Sequence, residues 1–148
     1  VARQRQFGWD LLLNEHRVVR RGADSIVIAG TENDGRPPFP SRADLSKALK
    51  GVGKGTFVVL LQHDPSAWER NILPHSHAQL TLSGHTHGGQ VSLFGLRPTI
   101  ISYKQDKGLY TQGQRSLFVS SGLGGVVPFR FGVPPEVVVI TLRRGNVQ

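Results

Sequence analysis

Neither cysteine nor methionine occurs among the 148 residues. The first absence excludes a disulfide framework and any thiolate metal site, so a bound metal would need histidine, carboxylate or amide ligands. The second, in a chain that opens on Val1, leads to the expectation of a fragment. Aromatics are few, with seven Phe, two Trp and two Tyr, most of them inside apolar runs. A surface that stacks nucleic-acid bases would need exposed rings between cations, and this pattern does not supply them. No apolar run approaches the ~20 residues that cross a bilayer, and no signal-peptide pattern opens the chain.

A concentrated block of one charge is also missing. The formal net charge is +8, but its cations are scattered through Arg3, Arg5, Arg20, Arg21, Lys47, Lys50, Lys54, Lys104, Lys107, Arg143 and Arg144. Such a balance suits nucleic acid, an anionic membrane surface or a phosphate-bearing substrate. An absent acidic half would produce the same excess.

The length and the 38% hydrophobic content fit one folded domain over residues 1–148 with a real core. Leu11–Leu13 followed by His16–Arg20 reads as a strand or hairpin arm, and Ser25–Ala29 as a buried strand. "GTENDGRPPFP" is a loop by composition. Ser41 with Asp44 three residues on resembles a capping box, opening a helix with Leu45, Ala48 and Leu49 on one stripe. Phe57–Leu61 reads as a strand buried on both faces. Asp64-Pro65 resembles an N-cap and a first-turn proline, opening a short helix through Trp68. Further strands are expected at Gln79–Ser83, Val91–Leu93, Leu117–Ser120 and Val137–Leu142. Trp9 and Trp68 are expected in the core. The class is strand-rich α/β.

Histidine is where the chemistry gathers. His63 ends one strand-like run, while His85 and His87 follow another in "LTLSGHTHGGQ". If those strands are parallel neighbours, their C-terminal ends meet along the sheet edge where open α/β folds place ligands. Gly84 permits a tight turn, and Gly88-Gly89 lets the backbone pass close to a bound group. His75 and His77 form a second H-x-H. Six extended residues, Ala78 to Ser83, would hold them roughly 20 Å from His85 at about 3.3 Å per residue, so they read as a solvated loop. His16, in an arginine-rich stretch, reads as a surface residue. "SSGLGG" is a candidate phosphate-cradling loop but lacks the ending of a P-loop, and a structural turn is preferred. Arg130, between Phe129 and Phe131, is a candidate contact for a substrate phosphate or, equally, a strand-edge surface residue.

"LLQHDP" followed by "LSGHTHGGQ" resembles the calcineurin-like metallophosphoesterase family, most nearly its bacterial branch of membrane-associated phosphodiesterases and UDP-diacylglucosamine pyrophosphatases. The tail "GLYTQGQRSLFVSSGLGGVVPFRFGVPPEVVVITL" and the front "LLLNEHRVV…IVIAG" are similar to the same branch. The resemblance implies a β-sandwich flanked by helices, of which this chain would be the C-terminal half. It implies a site with two divalent ions (Mn, Fe or Zn), His63 and His85 on one and His87 on the other. The family's remaining ligands come from Asp-x-His, Gly-Asp-x-x-Asp and Gly-Asn-His-Asp elements, and none occurs here.

The reading is therefore a phosphoesterase fragment, hydrolysing phosphodiester or pyrophosphate bonds in the complete enzyme and inactive alone. Expected partners are a phosphate-containing small molecule or lipid-linked nucleotide and the missing N-terminal half of the same domain, with no nucleic acid expected. The resemblance suggests a membrane-associated bacterial enzyme. The alternatives are a basic module for nucleic acid or an anionic membrane surface, and a structural fragment whose histidines bind metal adventitiously. Should the chain prove active alone, Asp34, Asp64 and Asp106 are the carboxylates to examine first.

Overall fold

The structure is a computed structural model and describes residues 1–145. Six strands form one mixed sheet: β1 (Glu15–Arg21), β2 (Asp24–Gly30), β3 (Val58–Leu61), β4 (Leu80–Ser83), β5 (Gly108–Gln112) and β6 (Arg115–Val119). Their spatial order is β1-β2-β3-β4-β6-β5. The inner four, β2, β3, β4 and β6, run parallel, and each outer strand pairs antiparallel with its neighbour through a hairpin. Gly22 and Gly113 take positive φ in the two hairpin turns, a conformation that suits residues without a Cβ.

Alternation along the strands divides the side chains between two faces. Ala29, Leu60, Thr81 and Leu117 align across the inner strands and are fully buried. Val27, Val58 and Val119 extend this face, which packs on Ala67, Trp68, Ile72 and Ala78. The last four come from the crossover between β3 and β4. Asp64 starts it by accepting a hydrogen bond from the Ser66 amide at 2.8 Å. The chain then makes a wide π-helical segment, Trp68–Ile72, and a last turn, Leu73–His75. Arg115 ties down its end, donating to the carbonyls of Ile72, Leu73 and Ala78 at 2.7–2.9 Å. Leu60→Ala removes a fully buried side chain. It should cost ~2–5 kcal/mol through lost burial and the cavity left behind, read as a fall in the thermal midpoint.

The opposite face carries Ile28 beside Val59 on one rung and Leu61, Leu82 and Phe118 on another. It is not covered to the same degree: Leu61 is 40% exposed and Leu109 is 65% exposed. Phe57 also lies outside the core, just before β3.

Several local expectations are corrected. Val137–Leu142 forms no strand and is not buried, with Val137 77% and Val139 87% exposed. β propensity alone cannot hold an extended run, because its amides and carbonyls need an adjacent edge. Val91–Leu93 makes only isolated bridges, to Phe131 and Leu96. Trp9 is 62% exposed, leaning on Phe7 rather than entering the core. The helix Leu45–Ala48 is capped by Asp44, whose carboxylate accepts from the Lys47 amide at 2.8 Å, while the Ser41 hydroxyl donates to Asp34. His16 is half-buried with Nδ1 2.8 Å from the Ala48 carbonyl, and so is not a free surface residue. Among the described residues no helix is long and apolar enough to cross a membrane.

Candidate metal centre

β3 and β4 lie side by side and parallel, with Leu61 opposite Leu82. The ladder continues past their formal ends: the Gln62 amide donates to the Leu82 carbonyl at 3.0 Å, and the Gly84 amide to the His63 carbonyl at 3.1 Å. That bond brings the residue after β3 beside the turn after β4. His63 Nε2 and His85 Nδ1 consequently sit 3.2 Å apart, with ring centroids 5.0 Å apart.

The turn that delivers His85 is unusual. His85, His87 and Gln90 have φ of +70°, +52° and +57°, and Gly88 and Gly89 are also positive. A non-glycine residue held there costs of order 1–3 kcal/mol and persists only where its surroundings enforce it. Thr86 Oγ1 donates to the Asp106 carbonyl at 2.5 Å. The Gln90 side chain donates to the carbonyls of Val127 and Phe129, both at 2.8 Å, and accepts from the Val126 amide at 2.6 Å. A Cβ at position 88 would lie 2.9 Å from Val133 Cγ1, so glycine is required there for space as well as for φ.

Arg130 belongs to the same scaffold. Its guanidinium donates to the carbonyls of Ser121 at 2.8 Å, Val133 at 3.3 Å and His87 at 3.5 Å, and also to that of Gly124. These donors face backbone, and the side chain braces the His87 turn rather than projecting into open space. "SSGLGG" is likewise a structural turn. Its carbonyls receive Arg130, the Ser121 amide donates to Glu136 and the Gly122 amide to Ser120 Oγ.

Around the histidine pair stand residues that spacing did not mark. Tyr103 Oη lies 2.7 Å from His85 Nε2, and the Phe39 ring meets His85 edge-on at 5.6 Å between centroids. The Tyr103 hydroxyl engages Nε2 of His85, which leaves Nδ1 as the nitrogen that faces His63. Burial lowers the His63 pKa, with His85 and His87 adding to the effect against the opposing pull of Asp64. The shift favours the neutral imidazole, the form that ligates a metal. No signal at a distance of 18 residues could have found Tyr103.

Two nitrogens 3.2 Å apart would subtend roughly 100° at an ion bonded to each at ~2.0–2.1 Å, near the tetrahedral angle. The pair thus fits part of a coordination shell. Among the described residues no group of three histidine or carboxylate side chains is placed to hold one ion. His87 is near enough to influence His63 electrostatically but lies outside the touching pair. His75 and His77 lie at the far end of β4, as the spacing predicts. His75 is exposed, while His77 is half-buried with an unpartnered Nε2 and so is not fully solvated.

The three noted carboxylates have distinct roles. Asp34 is buried among Arg70, Ser41 and Asn71. Asp64 keeps one buried oxygen, Oδ2, without a hydrogen-bond partner. Asp106 is held by Arg97 at 2.6 and 3.0 Å and by Thr99 at 3.0 Å. Burial alone would push the Asp106 carboxyl up, but Arg97, Thr99 and Tyr110 together hold it below its ordinary 3.8. The folded state therefore keeps Asp106 ionised where the unfolded chain would take up a proton. The stabilisation is complete above about pH 5 and is lost as pH falls through the unfolded and then the folded value. Asp106→Asn should cost about 3 kcal/mol at neutral pH by leaving Arg97 without its charge partner. It should also flatten the acid limb of a stability–pH curve measured by urea denaturation. An unaltered acid limb would show that Asp106 does not control it.

Sequence comparison places relatives beside this geometry. The chain is 34% identical over 126 residues to the uncharacterized metallophosphoesterase of Aquifex aeolicus (strain VF5), covering 82% of this chain and 47% of the relative. It is 35% identical over 108 residues to the uncharacterized metallophosphoesterase YkuE of Bacillus subtilis (strain 168), covering 70% and 37%. It is 28% identical over 142 residues to the phosphodiesterase YaeI of Escherichia coli (strain K12), covering 91% and 48%. The chain thus spans less than half the length of each of these relatives. No family model matches it. No solved structure matches it either. With a strand-rich α/β sheet that brings His63 and His85 together at its C-terminal edge, and with these relatives over most of its length, the chain belongs to the calcineurin-like metallophosphoesterase family.

Proposed function

We propose that this chain contributes part of a two-metal site for hydrolysing phosphodiester or pyrophosphate bonds, and that it is the C-terminal portion of one catalytic domain. The observation that carries the reading is the approach of His63 Nε2 to His85 Nδ1 at 3.2 Å on adjacent parallel strand ends. His63 and His85 would hold one divalent ion and His87 the second, with Mn, Fe or Zn suited to imidazoles mixed with carboxylates. Bound metal supplies charge neutralisation of phosphoryl oxygens and a water acidified enough to attack at neutral pH. The protein's own contribution is orientation. Tyr103 orients the His85 ring, the ladder bond from Gly84 fixes His63, and Arg130 with Gln90 keeps the His87 turn in its left-handed course.

The half-covered sheet face supports the domain reading, since Leu61, Leu82 and Phe118 present a surface that a second layer would bury. The basic-module alternative has less support. Arg17, Arg70, Arg97, Lys104, Lys107 and Arg144 are in ion pairs, and Arg115 and Arg130 are turned onto carbonyls.

Zinc titration followed by calorimetry tests the metal reading. The chain should bind one equivalent or more, and His85→Ala should weaken the tightest event by at least about tenfold, the scale of losing even an outer partner. Equal binding by the variant would overturn it.

A further inference from the structure

Beside the histidine pair, a cleft of about 340 Å³ opens between the loop at Arg36, the start of the crossover helix at Ser66–Arg70, and Tyr103–Gln105. Its size is that of a small-ligand site. Three cations wall it, Arg36, Arg70 and Lys104, with one carboxylate, Glu69. Two of the cations are already neutralised. Arg70 lies 3.0 Å from Asp34 Oδ1 and donates to the Asp34 carbonyl at 2.6 Å, and Lys104 meets Glu69 at 3.1 Å.

Arg36 differs from both. It has no carboxylate partner among the described residues, and its one hydrogen bond goes to the Ser102 carbonyl at 2.8 Å. Most of its five N–H groups therefore lack a protein acceptor. The guanidinium stacks over the Tyr103 ring, its Cζ 4.7 Å from the centroid. Stacking holds the plane still and leaves the N–H edge to recognise an oxyanion in a bidentate manner. The same Tyr103 touches His85, with ring centroids 5.5 Å apart. Together these contacts place the Arg36 guanidinium within about 10 Å of the His85 ring, roughly one Debye length at 0.1 M salt.

A held, uncompensated guanidinium at the mouth of a cleft next to two metal-ligating imidazoles has a specific use. We propose that the cleft binds a second anionic group of the substrate, a phosphate that is not cleaved, with Arg36 as its charged contact, while Arg70 and Lys104 line the cleft as ion pairs with Asp34 and Glu69. The proposal rests on the phosphoesterase reading and narrows it: the preferred substrate carries two phosphoryl groups or a phosphate beyond the scissile bond. An ester with a single charged group would leave Arg36 unused.

The test is a titration of the isotope-labelled, metal-free chain with inorganic phosphate, followed by amide and arginine side-chain NMR. Saturable shifts at Ser66 and at Ser102–Gln105 are expected. Arg36→Gln should weaken the fitted affinity about tenfold, and Arg36→Lys, which keeps the charge but loses the fork, should weaken it several-fold. Lys54→Gln, a distant exposed site, should leave it unchanged. Shifts that never saturate, or equal losses in the Arg36 and Lys54 variants, would show diffuse attraction only and overturn the proposal. Unaltered affinity in both Arg36 variants would overturn it as well. Parallel titrations with glycerol phosphate and a nucleoside monophosphate identify the carrier of the phosphate by which binds more tightly. Because no metal is present, the outcome is independent of the zinc experiment. Lost phosphate binding with intact zinc binding would sink the cleft alone, and the converse would sink the metal reading alone.

Discussion

Incubated with manganese and an activated aryl phosphodiester, the 148-residue chain is expected to show no turnover above the metal-only blank. A two-metal site needs a bridging ligand to fix the spacing of its ions, and further ligands to complete both shells. The described residues provide one touching imidazole pair and His87, with no third ligand converging on either. Asp34 and Asp106, buried and ion-paired, are committed to Arg70 and Arg97. Asp64 has a spare oxygen, but one carboxylate beside His63 cannot replace a bridge and an acid together. Positioning and charge neutralisation supply most of the acceleration in such hydrolysis, so nearly all of it should be missing. Mixing with a polypeptide that supplies the Asp-x-His, Gly-Asp-x-x-Asp and Gly-Asn-His-Asp elements should restore it. Robust turnover by the chain alone, abolished by His85→Ala, would overturn the half-site reading and turn attention to Asp64.

Within a complete, active protein, His85→Ala should lower kcat by about a thousandfold, the upper end of the loss known for a single preorganised group at a charge-developing centre. The effect should be larger than for an ordinary ligand because His85 is also the hub of local packing. Its ring contacts His63, Tyr103 and Phe39 at once. Tyr103→Phe keeps the ring and removes only the hydroxyl, so it should cost much less, ~10–100-fold, and chiefly in metal affinity. Excess manganese should therefore recover much of the Tyr103→Phe loss and none of the His85→Ala loss. If both variants lost activity equally and metal rescued neither, Tyr103 would not act through His85. Steady-state rates across a manganese series distinguish these outcomes.

Much of the fold and the central pair was legible in the residues themselves. Runs such as Val58–Leu61 and Leu117–Val119 are apolar enough to mark strands, and both lie within strands of the sheet. The placement of His63 after one such run and His85 after another put their imidazoles together on the condition that the two strands are parallel neighbours, which share one C-terminal edge, and the folded sheet meets that condition. What local pattern could not decide was anything requiring a partner from elsewhere in the chain. Val137–Leu142 has strand composition but no ladder, since pairing depends on a neighbouring edge and not on propensity. Trp9 is hydrophobic yet exposed, because burial depends on what lies above it. The roles of Arg130 and Tyr103 were set the same way: backbone carbonyls from distant turns converge on one guanidinium, and a hydroxyl 18 positions away reaches His85 Nε2. Sequence records which groups a chain can offer and how far apart they lie along it, whereas only the folded geometry determines which of them meet.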